Sequence, residues 1–129
     1  MEWNLLSDTT SQALAASLRG TAARHAALAN NIANVDTPGF VRVDVEFQTA
    51  LAAALSRSRR AHVRSGEDLA ALTFRSRRDA SPPFRVDGNN VDIDREMVGL
   101  AVNTLRHRAA GEVLGFRIRG LRNAIREGR

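Results

Sequence analysis

Three histidines, a run of acids and a crowd of arginines are the residues of this 129-residue chain with the means to do chemistry. His25 and His107 stand in the two long segments with helical apolar periodicity, and His62 stands between those segments. An antiparallel register that sets Leu14 against Ile118 also sets His25 against His107, a pair suited to a metal ion or a pH switch. No third ligand accompanies them, so the favoured reading is two unrelated histidines on packed helix seams. The chain has no cysteine, which removes disulfides, thiolate metal sites and a cysteine nucleophile. Asp92, Asp94 and Glu96 have the charge of a cation loop but not its glycine or its ligand spacing. Asp92 as a helix N-cap, with Asp94 and Glu96 opposite the helix dipole, accounts for them better. Phosphate-binding glycine loops, G-x-S-x-G and H-E-x-x-H are all missing from the sequence. Nothing in these motifs supports an enzyme, a cofactor or a metal site, and an enzyme using the two seam histidines is the weakest of the readings.

All 19 basic residues are arginine, and the net charge is +5. Arg57, Arg59, Arg60, Arg64, Arg75, Arg77 and Arg78 decorate the middle of the chain, and Arg119, Arg122, Arg126 and Arg129 share one helix face near its end. Such clusters can contact phosphate. Stacking aromatics are missing beside them and no DNA-binding motif is complete. A solvated face or a protein contact is expected, with a basic nucleic-acid-binding helical module as the alternative class.

Two helices must position these residues. Leu14, Leu18, Thr21, His25, Leu28, Ile32 and Val35 step by four and three on an alanine-rich background, which is a heptad seam. One of the residues 8–11 caps its start. Pro38 disfavours helical geometry at Thr37, so this helix ends by about Val35. "VRVDVEF" then alternates Val41, Val43, Val45 and Phe47 with Arg42, Asp44 and Glu46, the period of a short half-buried strand. "QTALAAALS" adds a short helical turn. Residues 56–85 carry eight arginines against three acids with little periodicity, which reads as a loosely structured insert with a strand around Leu72–Arg75. "VDGNN" is turn chemistry. From Ile93 the series Met97, Leu100, Thr104, His107, Gly111, Leu114, Ile118, Leu121 and Ile125 forms a second, longer seam.

The expected fold is mainly α. Long N- and C-terminal helices pair as an antiparallel coiled-coil-like hairpin, with a short extended segment and a loose basic insert between them. The boundaries are residues 1–36 for the first helix, 37–55 for turn and extended segment, 56–90 for the insert and 91–129 for the last helix, all in one structural domain. Apolar residues on the seams are too sparse to hold the pair alone, so the chain is expected to be partly disordered by itself and to order in an assembly. No stretch approaches the ~18 apolar residues of a membrane span. "MEWNLLSDTT" has neither a basic n-region nor an apolar h-region, so no cleavable signal is expected.

The stretch "ALANNIANVDTPGF" followed by "VRVDVEF" resembles the N-terminal signature of the bacterial flagellar rod and hook axial proteins. "GNNVDIDREMVGLAVNTLR" is similar to the C-terminal signature of one proximal rod member, and another proximal rod member is the alternative. The resemblance spans about residues 10–50 and 86–129. It implies a structural subunit of the proximal rod in the flagellar basal body, part of a drive shaft that transmits torque, surrounds the export channel and serves motility. It implies export through the flagellar type III apparatus. The implied partners are copies of itself, other rod proteins, the ring–rod junction protein with the membrane ring, and the export gate, without nucleic acid and without a direct membrane span. His107, Gly111 and Gly115 depart from the family pattern.

The implied subunit-contact residues are Leu14, Leu18, Leu28, Ile32 and Val35 on the first seam and Met97, Leu100, Leu114, Ile118, Leu121 and Ile125 on the second. Asp36, Thr37, Pro38, Gly39 and Phe40 join them at the turn. Asn30 and Asn34, on the face away from the seam, and Asn31, flanking it, complete the set, their amides offered to something outside the hairpin, with plain helix capping as the alternative for Asn34.

Overall fold

The computed structural model describes residues 8–60, 69–83 and 85–128. Helix α1 spans Thr9–Ala33, strand β1 Val43–Asp44, helix α2 Phe47–Arg60, strand β2 Arg77–Arg78 and helix α3 Ile93–Glu127. Contacts between α1 and α3 run from Asp8–Arg117 through Thr21–His107 to Asn31–Glu96, so the long helices pair antiparallel. The mainly helical hairpin expected from the two seams is the fold. Strands β1 and β2 add a small antiparallel ladder with Val43 opposite Arg78 and Asp44 opposite Arg77. No helix among the described residues is long and apolar enough to cross a membrane.

Local chemistry sets the helix ends. Asp8 caps α1, its Oδ1 accepting from the Ser11 N–H at 3.0 Å. The helix stops at Asn34, whose side-chain amide bonds back to the Asn30 carbonyl at 2.8 Å. Asp92 caps α3 by accepting from the N–H groups of Asp94 and Arg95. At ~1.5 Å per residue, α1 is roughly 38 Å long and α3 roughly 52 Å, so α3 overshoots the hairpin.

Two local expectations are corrected. "QTALAAALS" is not a short turn but belongs to α2, a helix of 14 residues. The short strand lies at Arg77–Arg78 and not around Leu72–Arg75, because pairing is fixed beside Arg42, whose carbonyl accepts from the Asp79 N–H at 2.8 Å. The phase of "VRVDVEF" also breaks: Val45 and Phe47 turn inward, but Val41 is exposed and Arg42 is buried.

The apolar core therefore sits beside the hairpin. Ala27, Val45 and Phe47 form its centre, with Ala23 and Phe74 packed against it. The Phe47 and Phe74 rings meet edge-to-face at 5.9 Å. Gly20 lets Phe47 lie against α1, since a Cβ there would stand 2.5 Å from ring carbon Cδ2 and 2.8 Å from the Phe47 Cβ. The clash is with the root of the side chain, which cannot swing away. Gly20→Ala is expected to destabilise by about 1–3 kcal/mol through overpacking. A thermal melt read by circular dichroism checks this, and an unchanged midpoint would show that the α1–Phe47 contact is dispensable.

The stripe of α3 that faces α1 differs from the expected one. Glu96, Asn103 and Ala110 are its buried row, continued one heptad on by Arg117. Ile93, Met97, Ile118 and Ile125 are exposed, while Leu100, Leu114 and Leu121 are half-buried at the margin. Polar groups on α1 pull this row inward: Asn31 binds Glu96, the Thr21 carbonyl accepts from Asn103, and Asp8 pairs with Arg117. Leu28 packs on the bare backbone of Gly99 in the same register. His107 consequently meets Thr21 and not His25.

Candidate functional site

Glu96 is the centre of a buried polar junction and is fully removed from solvent. Its carboxylate accepts from Arg42 Nε at 2.5 Å and from Asn31 Nδ2 at 2.8 Å. Asn31 also donates to the Val43 carbonyl at 2.7 Å and accepts from the Val43 N–H at 2.9 Å, so one side chain replaces a strand partner for β1. Arg42 reaches on to Asp79 at 3.0 Å and Asp44 at 3.2 Å, and Arg24 of α1 closes on Asp44 at 3.2 Å. One guanidinium thereby joins β1, the segment after β2 and α3, while Asn31 and Arg24 tie its carboxylate partners to α1. Its planar donor fork serves several carboxylates at once, which a lysine ammonium does less well.

Charge states follow from these contacts. Burial would lower the Arg42 pKa, but hydrogen bonding and charge from Glu96 and then Asp44 outweigh it and hold the group above its ordinary value. Hydrogen bonds from the Ser81 hydroxyl and N–H, aided by Arg42, bring Asp79 down to about 2. At Asp8, burial opposes ionisation, yet the Ser11 hydrogen bonds and Arg117 leave its pKa below the usual value.

Asn31 thus does not offer its amide to a neighbour. It is buried inside the hairpin because an extended backbone segment and a buried carboxylate both lie within its reach. Glu96 likewise does more than complement the helix dipole. Leu28 is also enclosed within the hairpin.

A second junction holds the turn. Thr37–Phe40 closes through the Phe40 N–H to the Thr37 carbonyl at 3.2 Å, with Pro38 second and Gly39 third at φ +71°, the geometry of a type II turn. Gly39 donates to the Asp87 carbonyl at 2.9 Å, and Gly88, at φ +85°, lies against it. Buried Asn89 directs its amide at the carbonyls of Asn34, Val35 and Thr37 at 3.0, 3.0 and 2.9 Å. Its oxygen accepts from the Val91 N–H at 2.7 Å. Arg85 bonds the Val35 carbonyl and pairs with Asp36. Asn30, Asp36, Thr37, Pro38 and Gly39 face solvent, and Asn34, Val35 and Phe40 are half-buried. The tip is a rigid projection, held from behind by residues of "VDGNN".

The third feature is on α3. Val98, Val102, Leu105, Ala109, Val113 and Phe116 step by four, three, four, four and three, and all are exposed. At ~3.6 residues per turn they centre about a third of a turn round from the row Glu96–Asn103–Ala110, so α3 is apolar on an exposed flank beside the face packed on α1. The seam reading passed over this row because it follows a single period of 3.5. Tracing every apolar residue of the helix at 3.6 per turn would have found it. On the inner side Leu14, Leu18 and Ile32 are half-buried.

His25 and His107 are not brought together as a pair. Thr21 Oγ1 lies 2.7 Å from His107 Nδ1 and within hydrogen-bond reach of the Ser17 and Leu18 carbonyls. His25 is exposed and lines the same shallow groove. Among the described residues no group of three His, Asp or Glu is placed to hold a metal ion. His62, Arg64 and Arg129 lie outside the described residues, as do the side chains of Arg59 and Arg60. Several arginines are committed internally: Arg19 to the Leu69 and Ala70 carbonyls, and Arg24, Arg42, Arg85 and Arg117 to carboxylates.

Comparison with known proteins places these features in context. Residues 11–40 match the flagella basal body rod protein family. The chain is 34% identical to flagellar basal body rod protein FlgB of Yersinia enterocolitica over 118 residues, covering 83% of this chain and 86% of the relative. It is 34% identical over 123 residues to FlgB of Escherichia coli K12, with the same coverage. FlgB of Bacillus subtilis is 31% identical over 107 residues, covering 79% and 81%.

Proposed function

This chain belongs to the FlgB family of flagellar basal body rod proteins, and we propose that it is a structural subunit of the proximal rod. It resides in the basal body rod, assembles with other rod proteins and serves motility. Its work is mechanical: it carries torque along the shaft, and we assign it no catalysis. Within that role we further propose contacts with copies of itself, with the ring–rod junction protein and membrane ring, and with the type III export gate during delivery.

The observation that carries this reading is the exposed apolar row on α3. A solitary hairpin leaves these side chains in water, whereas a shaft of packed helices buries them. The helix has α1 on one face and room for a neighbour on the flank beside it. The solvent-facing tip, with Asn30 and Asp36–Gly39, supplies a polar contact at the end of the hairpin.

Leu105→Asp tests the reading, since Leu105 is exposed and central in the row. The substitution is expected to leave the helical circular-dichroism signal of the chain unchanged, to abolish swimming and to remove the chain from isolated basal bodies. Normal swimming with normal incorporation would overturn the role given to this face.

A further inference from the structure

Helix α2, through Leu51, Ala52 and Leu55, and helix α3, through Ala109 and Arg106, flank an open, mostly apolar groove of about 380 Å³ that Ser17 of α1 also lines. The same chain carries a projection of matching chemistry. Phe116 is 74% exposed on α3, seven residues beyond Ala109 and on the same face of the helix. Glu112 precedes Phe116 by one turn, as Arg106 precedes Ala109 by nearly one turn. We propose that Phe116 of one copy seats in the α2–α3 groove of the next, with Glu112 of the first beside Arg106 of the second.

The order of the charges sets the direction of the contact. With the two α3 helices parallel and staggered by seven residues, ~10 Å along the axis, Phe116 lies over Ala109 and Glu112 beside Arg106. Antiparallel helices would put the charges at opposite ends of the contact. Knob and groove are different surfaces of one chain, so the contact is head-to-tail, leaves both unused surfaces free and extends without closing on itself. An open helical array is built from such contacts. A mostly apolar groove with an ion pair at its rim combines an apolar anchor with a device that sets register. The inference rests on the rod-subunit reading and names the partner of that face as a second copy.

Because the chain has no cysteine, single cysteines report the contact without background. Chains carrying Phe116→Cys and chains carrying Ala52→Cys are co-expressed in flagellated cells, basal bodies are isolated, and mild oxidation is applied. Covalent dimers are expected only when both variants are present. Dimers from Phe116→Cys chains alone would mean a symmetric contact and overturn the proposal. Incorporation of both chains without dimers would overturn it while leaving the rod role intact. Failure of the unsubstituted chain to enter basal bodies would remove that role and this contact with it. Charge exchange is a second measurement independent of the ring: Arg106→Glu is expected to abolish swimming, and adding Glu112→Arg in the same chain to restore it. No gain from the second change would count against the pairing.

Discussion

Glu96→Ala is expected to be the most damaging single substitution in the hairpin, costing about 3–5 kcal/mol, because it removes one partner of a buried ion pair and leaves the other charged. Arg42 would keep Asp44 and Asp79 but lose its shortest contact, and Asn31 would lose an acceptor in a site closed to water. A loss of that size is comparable with the whole stability of a small domain. The helical circular-dichroism signal of the variant should collapse at temperatures where the parent chain retains it. Arg42→Ala should act in the same direction. In a double-mutant cycle the combined cost should fall well short of the sum, because each single change already breaks the same pair. Strict additivity would mean that Arg42 and Glu96 are stabilised separately and that the junction is not a unit.

Asn89→Ala is the second large effect, at about 2–3 kcal/mol. One buried amide satisfies three carbonyls at the end of α1 and accepts from the Val91 N–H, and alanine leaves all four groups without that partner. The damage should be local. The Thr37–Phe40 turn should become protease-sensitive and its amides should exchange faster, while the middle of α1 stays protected. Asn89→Asp provides the control. It keeps the acceptor for Val91 but points a carboxylate at three carbonyl oxygens, so it should be no milder than alanine. Wild-type protection of the turn in either variant would show that Arg85 and the Gly39–Asp87 hydrogen bond hold it unaided.

These substitutions probe what lies between the helices, and there the sequence is least explicit. The two long helices, their starts and the stop of α1 are readable because their causes are local, whereas α2 reads only as a short turn. The 3.6-residue periodicity, Asp8 and Asp92 at the starts, and Asn34 with Pro38–Gly39 after α1 all act within a few residues. The type II geometry at Pro38–Gly39 is readable for the same reason. The face of α3 turned towards α1 is not local. Hydropathy chose Ile93, Met97, Ile118 and Ile125, but the hairpin buries Glu96, Asn103 and Ala110.

By itself, then, the sequence determined the helical hairpin, its turn and, through the NNIANVDTPGF stretch and the last-helix signature, the family. The tertiary structure alone decided which polar groups are buried, and with them the register and the surface left over for neighbours. A carboxylate can be buried only where donors converge on it, and those of Glu96 come from Arg42 and Asn31, 54 and 65 residues away in the chain. No window of sequence contains that meeting. The same displacement that carries Glu96 inward turns Val98, Val102, Leu105 and Phe116 outward, so the polar junction and the exposed apolar row are two sides of one rotation of α3.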